Sequence, residues 1–396
     1  MRIARTLPPA AAPIGWKNLL TGISAVFKGR SELSRFSGEL KCYFGKPHCF
    51  LVSSGKAALT QILRALREQY PNRDEVIIPA YTCYSVPSAI VRAGLKVKLC
   101  DIAAENFDFN FEQLEPMLNS EKLLCVAPTH LFGLPADIKR LRGLIDDPDV
   151  TIIEDASQAM GGEWQGQKLG TLGDVGVFSL GRGKALSTVE GGVILTGRGE
   201  LAVNLKRQID ALPEYTSLQV FKLFLYGVAL NILLLPTFFW IPKSLPFLKL
   251  GETTFDPDFQ MKKISYFQVG LTKNWIEKLR FFRQVRQDNI KKWLPVLDDV
   301  NCKVCLPNQP ETPDLIRLPV RIEDEHYRIG LLAVGARSGA GISAVYPEAL
   351  CEVPELNEMF KSKNFPEAKK NARELITFPV HPFVSHRDVD RIGAIL

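Results

Sequence analysis

The first half of the chain alternates short apolar runs with stretches of helical periodicity, and this alternation restricts the fold more than any other feature of the sequence. From residue 53 to about residue 195, the apolar runs recur at 76–79, 97–100, 123–127, 151–154, 175–179 and 192–196. Continuous apolar runs of this length are typical of strands buried on both faces. The pattern therefore predicts an α/β fold with a mostly parallel sheet sandwiched by helices. Ligands of such sheets bind beyond the strand ends, so functional side chains are expected there.

The length and the changes in composition predict four segments. A chain of 396 residues is long enough for one large domain and a smaller one. We expect an N-terminal segment at 1–30, a large domain at 31–216, an apolar insertion at 217–250, and a linking helix with a small C-terminal α/β domain at 251–396. The local patterns within these segments predict an amphipathic helix at 14–27, a long helix at 266–297, a strand at 315–320 and a helix at 365–375.

Charge and cysteine content argue against several classes of protein. The net charge of +6 is spread over 49 basic and 43 acidic residues, and no basic run is interleaved with aromatic residues, so nucleic-acid binding is not expected. Eight irregularly spaced cysteines do not suit a disulfide scaffold, which favours a reducing cytoplasm. Cys302 and Cys305 form a Cys-x-x-Cys, but no second ligand pair has zinc-like spacing, so no metal site is expected.

Two carboxylates end the apolar run at 151–154. Glu154 and Asp155 are adjacent, and Gln158 follows three residues after Asp155. A carboxylate at a strand end can face a ligand, although taken alone such residues more often end a strand or cap the next helix.

A lysine surrounded by glycines follows the run at 175–179. Ser179 ends that run, and Lys184 lies between Gly183 and a Gly191–Gly192 pair. Glycine lets the backbone approach a bulky ligand closely. A lysine taken alone is more often merely solvated, but the spacing of Lys184 from Ser179 and Asp155 favours a functional role.

A third element is the turn at Ser54, Gly55 and Lys56, which leads into a predicted helix at 57–66. Free N–H groups and the helix dipole make such a turn a phosphate site, although an ordinary serine-capped helix is the alternative. No Walker-type or Gly-x-Gly-x-x-Gly loop is present there. The three elements together offer a phosphate site, an acid for a ring nitrogen and an amine for an aldehyde, which are the functions that pyridoxal phosphate requires of a protein.

From about Phe36 to His381 the chain resembles the DegT/StrS family of nucleotide-sugar aminotransferases. The most specific block of the resemblance comprises Glu154, Asp155, Gln158, Gly170, Gly173, Asp174, Gly176, Phe178, Ser179, Lys184, Glu190, Gly191 and Gly192. Supporting pieces follow in the expected order at 77–82, 93–94, 101–102, 130–137, 341–342, 346–347, 368 and 379–382. The resemblance implies the aspartate-aminotransferase fold, pyridoxal 5'-phosphate as cofactor and a homodimer with shared active sites.

The resemblance also implies a role for each matching residue. Lys184 would be the Schiff-base lysine and the catalytic base. Asp155 would pair with the pyridine nitrogen, and Gln158 would contact the ring or its phenolic oxygen. The remaining implied cofactor contacts are Ser179, Ser54, Gly55 and Lys56 at the phosphate, and the implied substrate contacts are His130, Tyr346 and His381.

Three positions depart from the family pattern. Lys56 stands where many members have threonine. Cys83 stands where an aromatic residue often covers the cofactor ring, and Tyr84 could take over that contact. Lys263 could replace an arginine that reaches the neighbouring subunit's phosphate, but the accompanying asparagine has no equivalent.

The resulting hypothesis is a transamination, with L-glutamate as the expected donor and a nucleotide-linked keto sugar as the acceptor, in the biosynthesis of surface polysaccharide or a related glycan. One alternative is another reaction of the same fold, either sugar dehydration or amino-acid transamination. Related 3-dehydratases carry histidine at the position of Lys184, which favours transamination. The other alternative is a cofactor-binding regulator or scaffold without turnover.

The insertion contains twenty consecutive uncharged residues at 223–242, which is the length of a membrane span. Asn231 and Pro236 interrupt it, and a single span would separate the C-terminal motifs from the site. Two interpretations remain open. The segment is either a buried helical excursion or a hairpin that dips into one leaflet, with Trp240, Lys243 and Lys249 at the interface. The second would place a cytoplasmic protein on the inner face of the cytoplasmic membrane.

Overall fold

The computed structural model describes residues 4–245, 253–298, 300–306, 313–360, 364–394 and 396. Its strands are β1 (His48–Val52), β2 (Glu75–Pro79), β3 (Lys96–Cys100), β4 (Leu123–Val126), β5 (Thr151–Asp155), β6 (Glu163–Trp164), β7 (Gln167–Lys168), β8 (Val175–Ser179), β9 (Gly192–Thr196), β10 (Lys303–Val304), β11 (Arg317–Arg321) and β12 (Leu375–Pro379). Its α-helices are α1 (Trp16–Lys28), α2 (Arg30–Phe44), α3 (Gly55–Gln69), α4 (Ser85–Arg92), α5 (Phe111–Leu114), α6 (Ile138–Leu144), α7 (Gly199–Asp210), α8 (Ser217–Leu233), α9 (Trp240–Lys243), α10 (Tyr266–Gly270), α11 (Trp275–Asp298), α12 (Glu325–Ser338), α13 (Pro354–Asn357), α14 (Pro366–Glu374) and α15 (His386–Gly393).

The large sheet contains seven strands in the order β1-β9-β8-β5-β4-β2-β3. The strands from β8 to β3 pair in parallel, whereas β9 pairs antiparallel with both β1 and β8. Each of the six apolar runs forms one of these strands, within a residue of the expected bounds. The mostly parallel sheet is therefore confirmed.

Side chains from alternate positions of the strands pack against helices on the two faces of the sheet. Ile78 and Val177 face a core that includes Ile62 and Leu63 of α3, whereas Ile77 and Phe178, one residue away in each strand, face the cores on the opposite side. Burial of one such side chain contributes about 1.5–3 kcal/mol, so strands apolar at every position are stable only when both faces are covered.

A second, three-stranded sheet forms the smaller C-terminal unit, with antiparallel strands in the order β10-β11-β12. It packs against α11 and α15 through a core that includes Trp293, Leu318, Phe378 and Ile392. The strand expected at 315–320 is β11, and the helix expected at 365–375 is α14. The predicted fold class is thus confirmed in both parts, while the division of the chain at residues 30, 216 and 250 stays a prediction.

The long helix expected at 266–297 was wrong in one respect, because the structure divides it into α10 and α11. Asn274 adopts a left-handed conformation with φ of +57° between the two helices. Polar groups of α1 bind the carbonyls at the break, since Thr21 Oγ1 donates to Gly270 O at 2.9 Å and Asn18 Nδ2 donates to Leu271 O at 3.2 Å. Contacts with α1, distant in sequence, therefore end a helix that periodicity alone would continue.

The apolar insertion folds as α8 and the short α9, with Pro236 between them. Leu223 and Gly227 of α8 are buried against Leu19 of α1 and Phe267 of α10. Across the described part of the chain, no helix is both long enough and apolar enough to cross a membrane. The end of the insertion and Lys249, one of the expected interface residues, lie outside the described residues.

Close packing at Gly176 provides a test of the sheet. A Cβ at Gly176 of β8 would lie 2.1 Å from the carbonyl oxygen of Gly170, whereas a Cβ at Gly38 of α2 would meet nothing within 4 Å. We expect Gly176→Ala to lower the free energy of unfolding by about 1–3 kcal/mol or more, because backbone must move. Gly38→Ala should change it by less than about 1 kcal/mol, toward greater stability. Urea unfolding measures both, and equal effects would contradict the packing.

Candidate active site

The ends of two neighbouring parallel strands form the floor of the main cavity. Asp155 ends β5 opposite Val177 of β8, and Ser179 ends β8 two residues later. The cavity has a volume of about 770 Å³ and is lined by seven of the predicted residues, namely Ser54, Gly55, Lys56, Asp155, Gln158, Ser179 and Lys184. The fold therefore brings together residues that are as many as 130 positions apart in sequence, from Ser54 to Lys184.

Asp155 presents an unused carboxylate oxygen to this cavity. Its side chain is 5% exposed, and Oδ1 accepts the N–H of Ser157 at 3.0 Å. Among the described residues, Oδ2 accepts no hydrogen bond. A nearly buried carboxylate favours a charged donor at that oxygen, and a protonated ring nitrogen would supply one.

Lys184 combines a fixed backbone with an unengaged amine. Arg286 of α11 is buried and donates from one guanidinium nitrogen to the carbonyls of Lys184, at 3.3 Å, and Ala185, at 3.1 Å. Burial lowers the pKa of Arg286 to about 10, which still leaves the guanidinium charged at neutral pH. No hydrogen bond or ion pair to Lys184 Nζ is formed by the residues that the structure describes, so this amine is free to meet a ligand.

The N-terminus of α3 and the end of β8 form a cradle for an anion. Ser54 caps α3 by accepting the N–H of Ala57 at 3.1 Å, and the amides of Gly55 and Lys56 have no carbonyl one turn earlier in the helix. A Cβ at Gly55 would lie 2.9 Å from Cβ of Ser179, so only glycine lets the helix end approach this serine. Backbone N–H groups, the helix dipole and the Ser179 hydroxyl thus converge on a space suited to a phosphate.

Basic side chains surround the rest of the cavity. Arg182, Lys222 and Lys262 join Lys56 and Lys184, against two lining carboxylates, Asp155 and Glu190. This excess of positive charge favours anionic ligands.

The sequence reasoning missed the residues that the insertion and its flanks contribute. Gln219, Lys222 and Tyr226 of α8 line the cavity, and Lys262 Nζ donates to Gln219 Oε1 at 2.7 Å. No motif marks these residues, and only the position of α8 over the site brings them there.

Gln158 lies between the cavity and Tyr346. Its Nε2 donates to Tyr346 Oη at 3.1 Å, and its Oε1 accepts the N–H of Phe132 at 3.2 Å. Tyr346 is buried behind it and does not line the cavity, and burial raises the pKa of this phenol well above its ordinary value. A contact of Tyr346 with substrate would require movement of Gln158.

Two predicted cofactor contacts lie outside the cavity. Tyr84 immediately precedes α4 and is buried, with its hydroxyl donating to Glu348 O at 2.9 Å and its ring packed on Tyr346. Cys83 lines the cavity instead. Lys263 lines a separate cavity and pairs with Glu214 at 3.5 Å. Val52 bridges to Lys263 in extended backbone, and alternation in that segment turns Lys262 toward the main cavity and Lys263 away from it.

His130, expected to contact substrate, is fully buried beneath the sheet edge. The N–H of Ala136 donates to Nδ1 at 2.9 Å, so the proton is on Nε2, which donates to Glu154 Oε1 at 2.7 Å. Burial acts to raise the pKa of Glu154, but this hydrogen bond and the N–H groups of Gly170 and Gly173 outweigh it and hold the pKa below its ordinary value. His130 is therefore placed to support the loop around Glu154 and not to reach a ligand.

His381 is also fully buried and away from the cavity. The N–H of Phe383 donates to Nδ1 at 3.2 Å, which leaves Nε2–H to donate to Pro8 O at 2.7 Å. The structure thus places this residue at a contact with the N-terminal segment, where it cannot touch a substrate held in the cavity.

The neutral state of His381 predicts a pH dependence of stability. Burial lowers its pKa from 6.5 to about 4, so the unfolded chain binds a proton at pH values where the folded chain does not. Its stabilisation is complete above pH 6.5 and is lost as the pH falls toward about 4. His381→Gln keeps a donor for Pro8 O but does not titrate. As the pH falls from 6.5 to about 4, the free energy of unfolding should therefore decrease more for the unsubstituted protein than for this variant. Urea unfolding at each pH is the measurement. A difference in the free energy of unfolding between the two proteins that does not change with pH would contradict this account.

No group of three histidine, cysteine or acidic residues suited to a metal ion occurs in the described ranges. Cys302 and Cys305 are free thiols.

Comparison with known proteins identifies the family. The model of the DegT/DnrJ/EryC1/StrS aminotransferase family matches residues 24–212 and 259–396, so the chain belongs to this family. The matched ranges leave out residues 213–258, which include α8 and α9.

The relatives cover parts of the chain only. GDP-perosamine synthase of Vibrio cholerae is 32% identical over 41% of this chain and 44% of its own length. UDP-N-acetyl-3-dehydro-alpha-D-glucosamine 3-aminotransferase of Acidithiobacillus ferrooxidans is 30% identical over 51% of this chain and 55% of its own length. GDP-4-keto-6-deoxy-D-mannose 3-dehydratase of Yersinia pseudotuberculosis is 28% identical over 45% of this chain and 46% of its own length. The chain thus matches about half the length of these relatives.

Solved structures match the whole chain in fold. The aminotransferase PseC of Helicobacter pylori superposes with a TM-score of 0.79 at 16% identity, over 98% of this chain and 97% of its own. The GDP-4-keto-6-deoxy-D-mannose-3-dehydratase of E. coli, with bound hydrated PLP, gives 0.77 at 17% identity, over 99% of this chain and 100% of its own. At these identities the likeness shows the fold alone.

Proposed function

We propose that this chain binds pyridoxal 5'-phosphate in the main cavity and moves an amino group from an amino acid, with L-glutamate as the donor, to a keto sugar carried on a nucleotide diphosphate. One observation carries the proposal. The unused oxygen of Asp155 and the unengaged amine of Lys184 line the same cavity as the anion cradle of Ser54, Gly55 and Ser179. The ring nitrogen, aldehyde and phosphate of the cofactor require these three partners.

The bound cofactor would supply an electron sink for the carbon that gains or loses nitrogen. Asp155 would accept a hydrogen bond from the ring nitrogen and keep it protonated by charge. Lys184 Nζ would take the proton from the amine-bearing carbon of the donor and return it on the acceptor side. Gln158 would orient the ring edge, while Val177 and Cys83 would exclude water from its faces.

The excess of cations suits a diphosphate. Arg182, Lys222 and Lys262 line the cavity in addition to the residues of the cradle, so they are available to a second anionic group. The names of two relatives, GDP-perosamine synthase and the UDP-linked 3-aminotransferase, both refer to nucleotide sugars. We infer that the acceptor is of this class and that its product enters a surface polysaccharide or related glycan.

We propose a cytoplasmic homodimer in which Lys263 serves the partner's cofactor site. Lys263 faces away from its own cavity and its side chain is one-third exposed, which leaves it accessible to another subunit. A position on the inner face of the cytoplasmic membrane rests on a different observation, the exposed apolar side chains of α1 and α8.

Covalent trapping tests the cofactor assignment. The purified protein should be yellow, and borohydride should remove the colour and attach the cofactor to the peptide that contains Lys184. Lys184→Ala should show no attachment, whereas Lys206→Ala, which removes an exposed lysine of α7, should behave as the unsubstituted protein. Mass mapping of the peptides is the measurement, and attachment at another lysine would contradict the assignment.

Addition of L-glutamate then separates the possible activities. A transaminase should lose its yellow colour and form 2-oxoglutarate in an amount equal to the cofactor. A protein that removes a hydroxyl from a nucleotide-linked keto sugar and leaves no amino group on it would be a dehydratase. One that does neither would be a regulator or scaffold.

The cavity cations predict nucleotide affinity. The cofactor-loaded protein should bind UDP or GDP, and the double variant Lys222→Ala/Arg182→Ala should bind it about tenfold more weakly or worse, because two charge-assisted contacts are lost. Isothermal titration calorimetry measures the change, with Lys206→Ala as the matched control. An unchanged dissociation constant would show that the acceptor's anionic group binds elsewhere, even if glutamate still bleaches the cofactor.

A further inference from the structure

The exposed apolar side chains of this protein are concentrated on two neighbouring helices. Thirteen of the eighteen large apolar side chains exposed among the described residues lie within 16–27 or 218–245. Those on α1 include Trp16, Leu20, Ile23 and Phe27, and those on α8 include Leu218, Phe221, Leu225 and Ile232. Soluble surfaces seldom group apolar residues in this way without a partner.

The spacing of these residues places each set along one side of its helix. Trp16, Leu20, Ile23 and Phe27 are separated by four, three and four positions, which keeps them on one stripe of α1. Leu218, Phe221, Leu225 and Ile232 form a comparable stripe on α8. The opposite sides are buried in the protein, at Gly22 and Ala25 of α1 and at Leu223 and Gly227 of α8.

The two helices are fixed to each other and to the enzyme core. Leu19, Leu223 and Phe267 share one apolar cluster, and Asn231 Nδ2 of α8 donates to Ile14 O at 2.5 Å. The two stripes therefore belong to one rigid part of the molecule. We define the lipid-facing surface as these two stripes with their flanking cations.

The charge around the lipid-facing surface is mostly positive, although Glu32 of α2 pairs with Lys28 at 3.8 Å. Residues 4–31 and 215–245 contain no aspartate or glutamate, but they contain Arg5, Lys17, Lys28, Arg30, Lys222 and Lys243. Lys17, Lys28, Arg30, Lys222 and Lys243 are exposed. An isologous dimer would pair such a surface with itself and bring like charges together. An anionic surface with an apolar interior has the complementary chemistry.

We propose that the lipid-facing surface binds an anionic phospholipid bilayer and that the main cavity consequently opens at the lipid–water interface. The helices would lie in the plane of the headgroups with Phe27 and Phe221 inserted, because neither can span the bilayer. Lys222 and Tyr226 are exposed on α8 and also line the cavity, so the helix that meets the lipid forms part of the cavity wall. The residues that match the family model do not include α8, so its apolar stripe is not explained by membership of the family.

Vesicle flotation of the cofactor-loaded chain of 396 residues tests this proposal. The protein should float with vesicles of phosphatidylcholine and phosphatidylglycerol in equal parts, and much less with pure phosphatidylcholine. The double variant Phe27→Asp/Phe221→Asp should bind the mixed vesicles at least about tenfold more weakly, because it inserts charge at both stripes. Ile329→Asp, at an apolar residue of α12 that is 53% exposed, is the matched control and should float normally.

A second pair of variants tests whether the flanking cations contribute to vesicle binding. Lys17→Glu/Lys28→Glu should weaken binding to the mixed vesicles about tenfold, whereas Lys206→Glu on α7 should not. Unchanged visible absorbance of each variant shows that the fold and cofactor site are intact. These outcomes do not depend on transamination, because an inactive but membrane-bound protein would still support the surface.

Two results would overturn the proposal. One is recovery of the unsubstituted protein away from both kinds of vesicle. The other is conversion of a dimer to a monomer by Phe27→Asp/Phe221→Asp in the absence of lipid, measured by light scattering, which would make the surface a subunit interface.

Discussion

The buried carboxylate of Glu154 is the interaction on which the site depends. It accepts hydrogen bonds from His130, Gly170, Leu172 and Gly173, and so ties the end of β5 to the loop that leads into β8. Leaving any one of these donors buried without a partner would lower the free energy of unfolding by about 1–3 kcal/mol. Because side chains alternate along a strand, fixing Glu154 on one face directs Asp155 to the other, where the cavity lies. The position of the cavity carboxylate thus follows from a neighbour that never meets a ligand.

The remaining parts of the site come from elements that the sheet brings to one edge. Glycine makes the close approaches possible, since a Cβ at Gly192 would lie 2.2 Å from Ser54 O and would force β9 away from the turn that starts α3. Arg286 of α11 donates a hydrogen bond to the carbonyl oxygen of Lys184 and so holds its backbone in place. The side-chain amine can move while the backbone stays fixed. The insertion adds α8 as one wall of the cavity. The same helix contributes polar side chains to the cavity and apolar side chains to the exposed surface.

Sequence reasoning predicted what local patterns determine. The parallel strands followed from runs that are apolar at every position, and the cavity residues Asp155, Ser179 and Lys184 followed from their places at strand ends and between glycines. It could not place Lys262 in the cavity and Lys263 outside it, because that choice depends on a single bridge to Val52. Nor could it find that His130 and His381 are buried, or that Nδ1 of each accepts a hydrogen bond, since the N–H groups that bind these nitrogens come from folded backbone. The break before α11 was missed for the same reason, as the groups of α1 that end α10 are distant in sequence.

A crystal structure of the protein purified with pyridoxal phosphate is the most direct test of the central claim, that Asp155 and Lys184 bracket one ring. The account predicts electron density continuous between Lys184 Nζ and the cofactor, with the pyridine nitrogen within hydrogen-bonding distance of Asp155 Oδ2 and the phosphate at Ser54, Gly55 and Ser179. Density for the cofactor in which Asp155 faces any other part of the ring, or in which Lys184 is separate from it, would contradict the account.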